Sequence, residues 1–84
     1  MKNIVIYSTQ TCPYCVRAKN LLASKDLQWT EIDVSSDDEL REAMIKKAGG
    51  RRTVPQIFIG DTHVGGYDDL AALEKSGKLA DLLG

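Results

Sequence analysis

Apolar residues come along this chain in short bursts whose period changes. Ile4-Val5-Ile6-Tyr7 is a continuous apolar, β-branched run bounded by polar residues, and it predicts a buried strand over Lys2–Ser8. Ser8-Thr9-Gln10-Thr11 predicts a loop. From Pro13 the period lengthens. Val16, Ala18, Leu21 and Leu22 form one apolar helical face that runs to about Lys25, and Pro13 suits the first helical position, where its missing N–H has no intrahelical partner. Gln28–Val34 predicts a second strand, with Trp29, Ile32 and Val34 as its apolar residues. Ser35 or Ser36 is placed to cap the next helix. Asp37, Asp38 and Glu39 fall in its first turn and Lys46 and Lys47 in its last, matching the helix dipole. Leu40, Met44, Ile45 and Ala48 supply its apolar face, and Gly49-Gly50 ends it. A third strand follows at Gln56–Ile59. A turn at Gly60-Asp61-Thr62 leads to a short fourth strand around His63-Val64. After Gly65-Gly66 comes a helix over Tyr67–Glu74, with a last short helix over Lys78–Leu83. A crossover helix between the first two strands implies a parallel pair, and the tight turn at Gly60 an antiparallel one. An α/β fold satisfies both: a four-stranded mixed sheet with helices on both faces.

Composition narrows the function classes. Eighty-four residues make one small domain, residues 1–84, and an apolar share of 43% argues against disorder. A formal net charge of -1 gives no general attraction to nucleic acid or an anionic membrane. No run approaches the ~18 apolar residues of a membrane span. Only four consecutive apolar residues follow Met1-Lys2-Asn3, too few for a secretory signal core, so a cytoplasmic location is expected.

The chemistry concentrates in Cys12-Pro13-Tyr14-Cys15, which holds the only two cysteines of the chain. A C-x-x-C dithiol between a strand and the first turn of a helix is set up for thiol–disulfide exchange, and in a reducing compartment it is more often catalytic than a permanent staple. Cys12 sits where the helix begins. Backbone N–H groups of the residues that follow can point at its sulfur, and the positive helix end favours the thiolate there. Cys12 is therefore the expected nucleophile. Cys15, one turn deeper, is the expected resolving thiol. A structural zinc site needs four ligands, and two thiols with His63 fall short, so no metal is expected. His63 and Trp29 read as packing residues.

Three blocks carry a family resemblance: Thr11-Cys12-Pro13-Tyr14-Cys15, Arg52-Thr53-Val54-Pro55-Gln56-Ile57-Phe58-Ile59-Gly60 and Gly65-Gly66-Tyr67-Asp68-Asp69-Leu70. In order and spacing the chain resembles the small dithiol glutaredoxins of bacteria over essentially its full length. The resemblance implies a thioredoxin-like fold and a monomeric enzyme that reduces protein–glutathione mixed disulfides and protein disulfides. It implies glutathione as cosubstrate, no bound cofactor, and disulfide-bonded proteins, ribonucleotide reductase among them, as substrates. It further implies a potential of roughly -200 to -230 mV.

The resemblance also implies a glutathione cradle. In it Val54-Pro55 is a cis peptide, and Thr53, Val54 and Pro55 offer the ligand an extended backbone. Gly66, Tyr67 and Asp68 form a helix start for the γ-glutamyl carboxylate, Asp68 (before Asp69) holds the ligand's amine, and Tyr14 covers it from the rim. The other carboxylate needs a cation, for which Arg41 and Arg52 are the candidates, with Arg51 beside them. Two departures stand out: Thr9 occupies a place where many relatives carry lysine, and Tyr67 one where many carry a third cysteine. The rival reading is a cluster carrier, two chains holding an iron–sulfur cluster through Cys12 and glutathione. Such relatives usually have a small residue after the first cysteine, and Pro13 argues against it here.

Overall fold

The computed structural model describes residues 2–84. Its elements are β1 (Ile4–Ser8), α1 (Pro13–Ser24), β2 (Thr30–Asp33), α2 (Asp38–Lys47), β3 (Gln56–Ile59), β4 (Thr62–Gly65), α3 (Tyr67–Ser76) and α4 (Lys78–Leu83). The strands form one sheet in the order β2-β1-β3-β4. β1 pairs parallel with β2, while β1 with β3 and β3 with β4 are antiparallel. The mixed four-stranded sheet expected from the sequence is present.

Alternation along the strands divides the apolar residues between two cores. Ile4 and Ile6 of β1 and Ile57 and Ile59 of β3 turn to one face, where they meet Ala18 and Leu22 of α1, Leu70 of α3, and Leu79 and Leu83 of α4. Tyr7 and Phe58 turn to the other and meet Val34, Met44 and Ile45 of α2, and Ala48 just past its end. The central strands are therefore apolar on both sides, which is why they read as continuous runs. β2 lies at an edge, and of its four residues only Ile32 is partly covered.

Local chemistry moves several boundaries. β1 and β2 are shorter than expected: Lys2 and Asn3 lie outside β1, and Gln28, Trp29 and Val34 outside β2. The cap of α2 is Asp37, not Ser35 or Ser36. Its carboxylate accepts the Leu40 N–H at 3.0 Å, while the Ser35 hydroxyl accepts the Gln10 N–H and serves the loop instead. Gly50 N–H returns to the Ile45 carbonyl at 2.9 Å and closes the end of α2 through a left-handed turn. α3 continues to Ser76, two residues beyond the expected end, and stops at Gly77 in the left-handed conformation. Two residues assigned to apolar faces are exposed, Val16 at 49% and Leu40 at 37%. Each lies near the start of its helix.

The packing makes a direct contrast. Leu22→Ala empties a fully buried site and should lower the unfolding free energy by about 3 kcal/mol. Leu40→Ala should lower it by about 0.5 kcal/mol or less. Urea titrations of the two variants measure the difference.

Candidate active site

Cys12 is the N-cap of α1, and its sulfur fills the role usually taken by a hydroxyl or carboxylate oxygen. Sγ accepts the Cys15 N–H at 3.1 Å, and the Cys12 carbonyl accepts the Val16 N–H at 3.2 Å. On its other side Sγ lies 3.7 Å from the Val54 carbonyl oxygen, toward which the thiol donates. Cys12 is partly exposed, and both cysteines are reduced.

Cys15 has the opposite environment. It is wholly enclosed. Burial pushes its thiol up to about 12, and its contacts with Cys12 push the same way, against a backbone hydrogen bond at Thr9 and the more distant Lys19 charge. Two of the forces that hold the proton on Cys15 thus come from Cys12. Tying up the Cys12 sulfur in a disulfide weakens both contributions, and Cys15 then gives up its proton more readily.

A shallow groove of about 120 Å³ runs beside the dithiol. Tyr14, Arg51, Thr53, Val54, Pro55, Gly66, Tyr67, Asp68 and Asp69 line it. Three elements converge there: the start of α1, the loop entering β3, and the start of α3. Val54-Pro55 is a cis peptide. Tyr14 is half exposed; the Arg17 guanidinium lies 5.1 Å from its ring centre, and Tyr67 faces it with centroids 6.1 Å apart. A larger hollow of about 350 Å³ lies among Tyr7, Lys47, Phe58 and His63. Neither cysteine lines either space, but the smaller groove takes in Tyr14, between the two cysteines, and Val54, whose carbonyl lies 3.7 Å from Cys12 Sγ.

The two acidic residues of α3 differ in their commitments. Asp69 Oδ2 accepts the Gly66 N–H at 2.9 Å and pairs with Arg51 Nη1 at 3.2 Å. The backbone donor first, and the guanidinium second, hold its carboxyl below the usual range. Asp68 makes no hydrogen bond or ion pair among the described residues and is exposed at the groove. Gly65 has φ +117°. A Cβ there would strike Asp69 Oδ2 and come within 2.7 Å of Arg51 Nη1, so the backbone passes directly under this ion pair.

The groove therefore gathers Tyr14, Thr53, Val54, Pro55, Gly66, Tyr67 and Asp68 from the residues singled out in the sequence. Arg41 and Arg52 are not among its lining residues, and the cation that lines it is Arg51. Nothing in the adjacent pair Arg51-Arg52 shows which one turns inward; the partner that selects it, Asp69, is eighteen residues away. Sequence reasoning also missed Gln56 and His63 as part of this region. Gln56 is fully buried, and its only signal was a polar residue opening an apolar strand.

The family model described as Glutaredoxin matches residues 4–64 of the chain. A protein named Glutaredoxin from Pseudomonas aeruginosa is 55% identical over 83 residues, covering 99% of this chain and 98% of its own. The solution structure of glutaredoxin from Brucella melitensis superposes with a TM-score of 0.86 at 55% identity, over 99% of this chain and 89% of that one. A crystal structure of a buckwheat glutaredoxin–glutathione complex superposes with a TM-score of 0.87 at 34% identity, over 98% of this chain and 76% of the other.

Because only the thiolate is alkylated, a raised Cys15 value slows its reaction at neutral pH and moves the rise in rate to alkaline pH. In Cys12→Ser, which keeps the burial of Cys15 but removes the contribution of the Cys12 sulfur, the iodoacetamide rate at Cys15 should still be climbing steeply between about pH 9.5 and about pH 10.5. A rate already level by about pH 10 in stopped alkylation time courses would mean an ordinary thiol.

Proposed function

The chain belongs to the glutaredoxin family, and from that premise we propose that it is a glutathione-dependent thiol–disulfide oxidoreductase acting on protein–glutathione mixed disulfides and on protein disulfides. One observation carries the reading. A partly exposed sulfur caps α1 beside the Val54 backbone, with a second, enclosed thiol one turn below it. The arrangement divides attack and resolution between the two cysteines.

In the one-thiol route the Cys12 thiolate attacks the glutathione sulfur of the mixed disulfide. The Cys12–glutathione bond forms, the original S–S bond breaks, and the protein leaves as a thiolate that takes up a proton. A second glutathione thiolate then attacks the bound glutathione sulfur, giving oxidised glutathione and restoring the Cys12 thiolate. In the two-thiol route Cys12 attacks a protein disulfide, and Cys15 loses its proton and attacks Cys12 Sγ. The protein dithiol departs, and two glutathiones reopen the Cys12–Cys15 disulfide. The two-thiol cycle moves two electrons from two glutathiones to one protein disulfide, whereas the one-thiol cycle consumes one glutathione and releases the substrate's own glutathionyl group within the oxidised glutathione.

The groove supplies the recognition in this reading. The backbone of Thr53, Val54 and Pro55 pairs with the extended tripeptide. The N–H groups of Tyr67 and Asp68, at the start of the ten-residue α3, face the γ-glutamyl carboxylate, and the uncommitted Asp68 carboxylate meets the amine. Gly66 keeps the approach open, and Tyr14 and Tyr67 form the walls. Arg51 is the cation that lines the groove for the remaining carboxylate; Arg52 and Arg41 do not line it. The reaction calls on no metal or organic cofactor. No helix among the described residues is long and apolar enough to cross a membrane.

A glutathione-coupled hydroxyethyl disulfide assay tests the division of labour. Cys12→Ser should lose activity by a factor of about a thousand or more. Cys15→Ser should stay within about threefold of wild type on a glutathionylated peptide and fall at least about tenfold on a protein disulfide. Equal losses on both substrates would remove the resolving role from Cys15.

A further inference from the structure

Gln56 is the one polar side chain of β3, and it is fully buried. An enclosed amide is costly unless its donors and acceptor are met. Its nitrogen donates to the Thr53 carbonyl at 3.0 Å and to Thr53 Oγ1 at 3.2 Å. Its oxygen lies 2.7 Å from His63 Nε2. With the nitrogen committed to two acceptors, the oxygen has to accept, so His63 Nε2 carries a proton. His63 is fixed in turn by stacking on Phe58, with centroids 4.9 Å apart and planes 28° apart. A line of two side chains thus runs from β4 across β3 to Thr53. The next residue, Val54, points its carbonyl at Cys12 Sγ.

Neither Gln56 nor His63 lines the groove. We propose that both are positioning residues for substrate binding: they clamp the Thr53 carbonyl and hydroxyl, and so hold the Thr53–Val54 backbone where a glutathionyl chain pairs with it. Thr53 Oγ1, accepting from Gln56, keeps its own O–H free to donate outward into the groove. The assignment to binding rests on reading the groove as the glutathione site.

The test separates positioning from simple support of the fold. Gln56→Met keeps the volume and removes the clamp. For a glutathionylated peptide its KM should rise about tenfold while kcat changes by less than about threefold. NMR order parameters of the Thr53 and Val54 amides, measured without glutathione, should fall. His63→Gln, whose amide can still donate to Gln56, should keep a KM near wild type, whereas His63→Phe should match Gln56→Met. A folded Gln56→Met protein with wild-type KM, or with unchanged Thr53 and Val54 order parameters, overturns the proposal. Equal defects in His63→Gln and His63→Phe overturn it for His63. If wild type does not prefer the glutathionylated peptide to the same peptide as a symmetrical disulfide, the glutathione reading of the groove fails instead. The order parameters then still decide whether Gln56 positions the loop.

Discussion

The Cys15 N–H donates to Cys12 Sγ across 3.1 Å, and this contact joins the start of a helix to the reactive atom. An N-cap acceptor satisfies a backbone donor that the helix otherwise leaves bare. In the proposed reaction the acceptor is also the nucleophile, so the force that begins α1 sets the place and direction of the sulfur. A thiolate is a stronger acceptor than a divalent sulfur in a disulfide. On that reading the contact favours the free thiolate over the sulfur loaded with substrate, and it helps Cys12 to leave when a second thiol attacks.

The sheet brings the other parts to that sulfur. β1 delivers the loop before Cys12, and its antiparallel neighbour β3 begins just after Pro55. β4 returns to Gly65 and feeds α3, whose first turn closes the groove. Two cores on opposite faces hold these strands. The site lies where three chain segments meet at one end of the sheet, and the apolar residues of β1 and β3 set their spacing. Cys15 belongs to both systems: it is a buried residue of α1 and, in the proposed reaction, the resolving thiol, whose enclosure raises the proton affinity that resolution must overcome.

Much of this was legible in the residues, since burial writes a period into the sequence. The runs at Ile4-Val5-Ile6-Tyr7 and Gln56-Ile57-Phe58-Ile59 marked the central strands, and Cys12-Pro13 marked a helix start with a sulfur at its cap. Features that depend on competition between neighbours were not legible. Ser35, Ser36 and Asp37 are all good caps, and Asp37 holds the position while Ser35 bonds the Gln10 N–H of another loop. Val16 and Leu40 keep helical spacing but stay exposed, a matter of tertiary packing that periodicity does not carry. Arg51 rather than Arg52 turns inward because Asp69 lies on its side. The Gln56–His63 contact is a cross-strand side-chain bond between two residues with no local reason to meet.

Gly65 and Gly66 look like one motif, but they face different evolutionary constraints. At Gly66 the backbone is ordinary, and an added methyl would rest 3.6 Å from the Pro55 carbonyl oxygen, so alanine there costs the fold little and only the ligand's approach resists it. At Gly65 a methyl would displace the carboxylate that caps α3 and the guanidinium paired with it, in a conformation few side chains tolerate. The second glycine is thus held by recognition and the first by architecture, and any lineage that loses Gly65 has to rebuild the salt link above it.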